Sequence, residues 1–270
     1  MALPPGTLDS TVLVTGASSG IGAELARGLA DRSYNVVLVA RREDRMAELG
    51  ERLRLRHGIH ADVVACDLGD AAARAALVAE LEGGEREVVG VCNGAGFGTV
   101  ADFAEADLAR EQALVRVNVE ALHHLTGAFL PRMRRQGVGA ILNVASIAAF
   151  QPLPGFATYA ASKAFVQSFS EAVHAELAGT GVSVTCLCPG FTRTEFGAVA
   201  GVPEDGGVAP GFLTMDAADV ARAGIEGMVA GRRSVVPGVQ NRASVLGGRL
   251  APRSLLLPLA RRATASRRGR

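Results

Sequence analysis

Tyr159 and Lys163 stand four residues apart in the stretch TYAASKAFVQSF, residues 158–169. Lys163 is the single lysine of a chain that otherwise carries its positive charge on 27 arginines, and Tyr159 is one of two tyrosines. On a helix that spacing puts both side chains on one face. A phenol with a pKa near 10 is a poor acid–base catalyst at neutral pH, and an adjacent ammonium favours its ionised form. Each unit of lowering corresponds to about 1.4 kcal/mol between the two forms, so a fall of ~3 units needs roughly 4 kcal/mol of differential interaction. Arginine would also bring charge. Lysine is a compact charge with rotatable donors, able to face a phenol and hold a second acceptor, a double task that a planar fork fits less well. The spacing therefore predicts that Lys163 depresses the Tyr159 pKa.

A second chemical signal is TGASSGIG, which follows an apolar run and opens a helical pattern. Gly16, Gly20 and Gly22 allow a tight backbone turn and a close approach to a pyrophosphate. The start of the helix, around Ser18, Ser19 and Ile21, supplies free N–H groups and partial positive charge. The order G-x-x-x-G-x-G departs from the G-x-G-x-x-G dinucleotide fingerprint, so the motif alone supports phosphate binding only through its strand–turn–helix context.

These residues need a scaffold, and the chain alternates short runs rich in Val, Ile and Leu with longer helical patterns. TVLVTG precedes a helix at Ile21–Ala30, NVVLVA one at Glu43–Arg56, and ADVVACDL one at Ala71–Leu81. EVVGVCNGAG precedes one near Asp107–Arg135, GAILNVAS one from Tyr159 to Leu177, and VSVTCLCPG one near Ala217–Ala230; RSVVPG is the seventh run. About seven strands separated by helices predict an α/β, doubly wound parallel sheet with helices on both faces. Ligands in such sheets bind beyond the carboxyl ends of the strands, which directs attention to Gly16–Gly22, Arg41–Arg42, Asp67–Leu68, Asn93–Gly96, Ser146 and Pro189–Thr194.

T-G-x-x-x-G-I-G combined with Y-x-x-x-K resembles the short-chain dehydrogenase/reductase family over about residues 11–236, with CNGAG, Asn118, Ser146 and PGFTRT in the family's order and spacing. The resemblance implies a Rossmann-type fold, NAD or NADP as cofactor, and hydride transfer between an alcohol and a ketone. It further implies that Ser146, thirteen residues before Tyr159, holds the substrate oxygen, that Tyr159 is the acid or base, and that Lys163 also bonds the nicotinamide ribose. Asn118 would kink its helix and hold a water leading from Lys163 to solvent. Asp67 and Leu68 would meet the adenine, with an N-cap the alternative role of Asp67. Asn93, Gly94, Ala95, Pro189, Gly190, Thr192 and Thr194 complete the implied cofactor contacts. Gly94 departs from the family's N-N-A-G and puts a sheet-stabilising contact in question.

Charge distinguishes the nucleotides. An NAD site places an acid at the end of the second strand to hold the ribose 2′-OH. Here the chain reads VARRED, and a guanidinium bonds a 2′-phosphate that a carboxylate would repel. NADP(H) is expected, with Arg41 the better candidate, Arg42 beside it and Ser18 a second donor.

Around these groups, Phe150, Leu153, Phe156, Phe191, Phe196, Phe212 and Leu213 predict an apolar wall suited to a ketoacyl, steroid-like or aromatic ketone. Residues 197–215 are Gly- and Pro-rich and read as a mobile substrate loop. Ala161, Phe165, Phe169 and Ala172 form an extra apolar stripe on the Tyr159 helix, pointing to a homodimer or homotetramer. His123 and His124 have no sequence partner for a proton shuttle. The alternative is a nucleotide-sensing regulatory protein without turnover, against which the Ser146–Tyr159–Lys163 set argues.

With 49% hydrophobic and 20% charged residues and 33 glycines, a single large core is expected. The reading places one domain over residues 1–240. The net charge of +1 conceals a tail, 241–270, with eight arginines and no acid, leaving the preceding 240 residues at −7. That tail reads as a solvated basic segment or a weak membrane-surface contact rather than a nucleic-acid site. Cys66, Cys92, Cys186 and Cys188 lie in apolar runs without metal-ligand spacing, so no metal is expected. The start MALPPGTLDS is unlike a secretory signal and no apolar run approaches ~18 residues. A cytoplasmic location is the expectation.

Overall fold

The computed structural model describes residues 3–7, 9–201 and 213–265. Strands β1 (Ser10–Thr15), β2 (Asn35–Ala40), β3 (Ala61–Ala65), β4 (Glu87–Asn93), β5 (Gly139–Val144) and β6 (Val182–Leu187) join the short β9 (Ser234–Val235) in one sheet. Its order is β3-β2-β1-β4-β5-β6-β9 and every pairing is parallel. A separate pair, β7 (Thr192–Arg193) with β8 (Met215–Asp216), lies outside that sheet.

The side-chain period of two explains why these strands are apolar throughout rather than alternating. Val12 and Val14 enter the cluster that buries α1 (Gly20–Ala30) and α8 (Ala217–Val229), whereas Leu13 enters the opposite cluster. That second face is covered by α3 (Ala71–Gly83), α5 (Leu122–Gln136) and α6 (Ala157–Glu176), which contribute Leu77, Phe129 and Val173. Helix α2 (Glu43–His57) buries Met46, Leu49 and Leu53 on the first face.

The chain order reverses between β2-β1 and β4-β5, so a crevice opens beyond the carboxyl ends of β1 and β4. Thr15 closes its floor: its Oγ1 accepts from the N–H of Gly94 at 3.1 Å and of Ala95 at 3.2 Å. A buried polar ladder then runs toward α6. Asn93 Nδ2 donates to Asn143 Oδ1 at 2.9 Å, Asn143 Nδ2 to Ser170 Oγ at 3.0 Å, and Ser170 Oγ to the Val166 carbonyl at 2.6 Å.

Two expected elements differ. The helix expected over 107–135 is broken: α4 (Leu108–Val115) passes into a π-helical turn at Arg116–Ala121 before α5. The domain boundary expected at 240 is also displaced. Helix α9 (Val239–Leu250) packs onto the fold, with Val245 beside Phe150, Val166, Cys186 and Cys188 in a third apolar cluster and Asn241 Nδ2 bonded to the Pro237 carbonyl at 2.7 Å. Three arginines counted with the tail serve the domain. Arg242 bonds the Val236 carbonyl, Arg249 lies 4.7 Å from the Phe150 ring centroid, and Arg253, at the start of α10 (Arg253–Ala265), reaches the Phe150 carbonyl. Among the described residues, no helix is long and apolar enough to cross a membrane and no His, Cys, Asp or Glu cluster is arranged for a metal.

On α6, Ala160, Ser162, Lys163, Val166, Ser170 and Val173 are buried, as is Leu177 just after its end. Phe165 is exposed and stacks on Phe169, rings 5.7 Å apart at 11°, with His123 5.3 Å from Phe169.

Candidate active site

One cavity of ≈ 750 Å³ runs from the glycine turn to α6 and contains nearly every residue singled out by the sequence. Among the candidate catalytic and cofactor residues, Asn93 and Asn118 are the exceptions. Asn93 is a correction: its side chain is buried in the sheet, bonded to Asn143 and Thr126, and is not offered to the crevice.

The glycine turn fits a phosphate-bearing nucleotide. Gly16 has φ +71, and a Cβ there would meet the Ala95 backbone at 2.9 Å; one on Gly22 would meet the Gly16 carbonyl oxygen at 2.3 Å. Helix α1 has no acid in its first turn and Ser19 makes no side-chain cap, so its leading N–H groups stay available to an anion. At the adenosine end, Arg42 donates to Ser18 Oγ from Nε at 3.2 Å and from Nη2 at 3.1 Å, and from Nη2 to Ser19 Oγ at 2.8 Å. Arg41 is exposed on the cavity wall and has no ion pair among the described residues. Asp67 lines the cavity beside Leu68, and its Oδ1 accepts from the Gly69 N–H at 2.9 Å. The N-cap of α3 is Asp70, not Asp67. Together, glycine cradle, helix start and arginines suit a dinucleotide with its pyrophosphate on α1.

At the other end, Ser146 follows β5 and its Oγ accepts from the Ala148 N–H at 3.1 Å, fixing the turn Ile147–Phe150. The Ser146 side chain is hydrogen-bonded to Tyr159. In the site without nucleotide, burial outweighs the expected effect of Lys163 on Tyr159. Burial pushes the phenol up to about 12, opposed only by the Ser146 bond, while burial brings the Lys163 ammonium down to about 8. Geometry explains the reversal: Lys163 Nζ donates to the Val144 carbonyl at 2.8 Å and lies 5.8 Å from the Tyr159 ring centroid, so desolvation outweighs charge attraction.

Asn118 sits in the π-helical turn. Its side chain clamps the segment after β4: Oδ1 accepts from the Phe97 N–H at 3.1 Å, and Nδ2 donates to the Phe97 carbonyl at 3.0 Å and to Ser162 Oγ at 3.1 Å. A Cβ on Gly96 would lie 3.0 Å from Asn118 Oδ1 and 3.3 Å from Lys163 Nζ, so both groups flank one backbone position without bonding each other.

Leu153, Phe156, Phe191 and Phe196 line the cavity as expected, with Phe156 and Phe196 rings 6.4 and 5.2 Å from that of Tyr159. Phe150 is core instead, and Leu213 does not line the cavity. Phe212 and residues 202–212 of the expected loop lie outside the described residues. The described part preceding them forms α7 (Phe196–Ala200). Sequence reasoning missed Phe97, Gln151, Glu195 and Ser244, all on the cavity wall.

Comparison with known proteins agrees with this geometry. The family model described as short chain dehydrogenase matches residues 10–202. Sulfoacetaldehyde reductase 2 of Chromohalobacter salexigens is 39% identical over 191 residues, 70% of this chain and 75% of that protein. A short-chain dehydrogenase from Sphingobium yanoikuyae in complex with NADPH superposes with a TM-score of 0.79 at 32% identity, over 92% of this chain and 95% of that one. The bulky-bulky ketone specific alcohol dehydrogenase from Comamonas testosteroni gives 0.75 at 30%, over 96% and 95%. The glycine turn, the parallel sheet and the cavity joining them to Ser146, Tyr159 and Lys163 thus sit in an oxidoreductase chain that belongs to the short-chain dehydrogenase family, which works with NAD(P)(H).

Proposed function

We propose that this chain is an NADP(H)-dependent reductase of bulky apolar ketones, also able to oxidise the corresponding secondary alcohols. The observation that carries the reading is the enclosure of Tyr159 between Ser146, Phe156 and Phe196 at the end of a cavity that begins at Arg41 and the glycine turn. The bound nicotinamide would supply the hydride to the carbonyl carbon. Ser146 holds the carbonyl oxygen by its hydroxyl. Tyr159, neutral at physiological pH because its pKa is about 12, keeps a proton to give to that oxygen as negative charge develops there. Lys163, with a pKa of about 8, holds an exchangeable proton near the phenol, while Asn118 fixes the Phe97 segment that walls the site.

Arg41, Arg42 and Ser18 together favour the 2′-phosphate, and the NADPH-complexed relative supports the same choice. The aromatic wall favours an apolar substrate, in line with the bulky-ketone dehydrogenase neighbour. The exposed Phe165 on Phe169 favours a second copy of the chain on α6. The reading is tested by turnover of a panel of diaryl, steroidal and long-chain β-keto substrates with NADPH and NADH. Turnover with NADPH, lost in Tyr159→Phe, is expected; equal rates with NADH, or an active panel indifferent to Tyr159→Phe, would overturn it.

A further inference from the structure

Glu195 stands at the mouth of the cavity, far in sequence from the arginines it meets. Its Oε2 accepts from Arg42 Nη1 at 2.8 Å and its Oε1 from Arg45 Nη1 at 2.5 Å. Nε and Nη2 of Arg42 donate to Ser18 and Ser19, so one guanidinium joins the start of α1 to a carboxylate from beyond β6. Glu195 immediately precedes α7, whose first residue, Phe196, holds its ring 5.2 Å from that of Tyr159. The opposite end of α7 is held by Arg110, whose Nη2 donates to the Val199 carbonyl. Helix α7 is therefore fastened at one end to the nucleotide corner and at the other to α4, across the face of Tyr159.

We propose that Glu195 makes α7 responsive to the nucleotide: it competes with the 2′-phosphate of NADP(H) for Arg42 and Arg45, so that a phosphate, but not a bare ribose hydroxyl, frees α7 from its tie beside Tyr159. The inference rests on the NADP(H) reading and adds to it a conformational response that only the phosphate draws, at a small cost in NADP(H) affinity. Hydrogen bonds from Arg45 and Arg42 hold the Glu195 carboxyl down to about 2, so it is an anion at any working pH. Two anions cannot share Arg42 Nη1 without repulsion. The Arg42 and Glu195 side chains are 41% and 45% exposed, so the pair is weak and exchangeable. A phosphate offers a larger charge and three acceptors to the same fork. A hydroxyl gains nothing by displacing the carboxylate, and a ligand shifts an equilibrium only by its differential affinity for the two states. Binding would thus choose the nucleotide at Arg41, and release of α7 from Glu195 would transmit that choice to the wall beside Tyr159.

The test is calorimetric titration of 2′,5′-ADP and of 5′-ADP into wild type and Glu195→Gln, with hydrogen exchange followed in a peptide spanning residues 196–200. Removing the competing charge should tighten 2′,5′-ADP by about two- to fivefold, the range of an exposed ion pair, and leave 5′-ADP unchanged. In wild type, 2′,5′-ADP should speed exchange in α7 and 5′-ADP should not; in Glu195→Gln, exchange should be fast without ligand. Equal 2′,5′-ADP affinity in both proteins, parallel changes for both nucleotides, or α7 exchange indifferent to 2′,5′-ADP overturns the role of Glu195 while leaving the NADP(H) reading standing. A wild type that does not distinguish 2′,5′-ADP from 5′-ADP overturns both.

Discussion

Lys163 turns its ammonium toward the Val144 carbonyl, 2.8 Å away, and leaves the Tyr159 phenol bonded to Ser146. The two groups that a catalytic reading couples are held by different partners, and burial drives their pKa values in opposite directions, to about 8 and about 12. On raising the pH the lysine loses its proton first. The phenol remains a proton donor throughout the neutral range.

That order is visible in absorbance. The chain has two tyrosines and no tryptophan, and burial raises both phenols, Tyr34 as well as Tyr159. Titration at 295 nm should place both native tyrosine transitions above the midpoint near 10 found in denaturant, with that of Tyr159 near 12. Tyr34→Phe should leave a single native transition near 12. A transition near 7 in the protein without nucleotide would show that Lys163 dominates after all.

Lys163 should lower stability at neutral pH. Its unfolded pKa is about 10.5 and its folded value about 8, so below pH 8 both states are protonated and the folded state bears the full cost of a buried charge. Between 8 and 10.5 the unfolded chain binds more protons and stability rises with pH; above 10.5 the cost is gone. About 2.5 units correspond to roughly 3 kcal/mol, less about 1 for the bond to Val144. Lys163→Met should therefore be about 2 kcal/mol more stable at pH 7, with the advantage gone by pH 10.5, in denaturant melts across that range.

Catalysis should separate Tyr159 from Ser146 by degree. Removing the proton donor in Tyr159→Phe should lower kcat by about 10²- to 10⁴-fold with nucleotide affinity retained. Ser146→Ala removes an oxygen-holding hydroxyl and a cap on the Ala148 N–H, and should cost about 10²- to 10³-fold. Steady-state rates beside nucleotide titrations check both.

Truncation distinguishes the two parts of the basic C-terminal segment. Ending the chain at 240 removes Val245 from the core and Arg249 from the Phe150 ring, about 3 kcal/mol together with the associated hydrogen bonds. Ending it after Arg253 retains α9 and the Arg253 bond to the Phe150 carbonyl. The shorter protein should melt several degrees lower, and the longer one should match full length.

Much of this was legible in the residues. Strand runs and glycine turn predicted the sheet and its crevice because parallel strands are apolar on both faces and a phosphate turn needs Gly16 and Gly22. The spacing of Tyr159 and Lys163 gave their common face but not their electrostatics, since burial of both depends on packing from α4, the Phe97 segment and α7. The charge of the segment past 240 reads as a tail, whereas the contacts that hold it, Val245 in the third apolar cluster and Arg249 over Phe150, are tertiary and leave no apolar period in the sequence. Glu195 has no local signature. Its role arises where β6's following loop returns to α2, a tertiary juxtaposition that no spacing records.

The ladder from Asn93 through Asn143 to Ser170 has a consequence for aim. Ser170 lies seven residues past Lys163 and eleven past Tyr159, on their side of α6, about 16 Å along the axis from the phenol. Rotating the helix by one residue would leave the Asn143 amide unpaired in the core, so the sheet sets the azimuth of α6 from its far turns. A polar contact remote from any substrate thereby indexes the direction in which Tyr159 points.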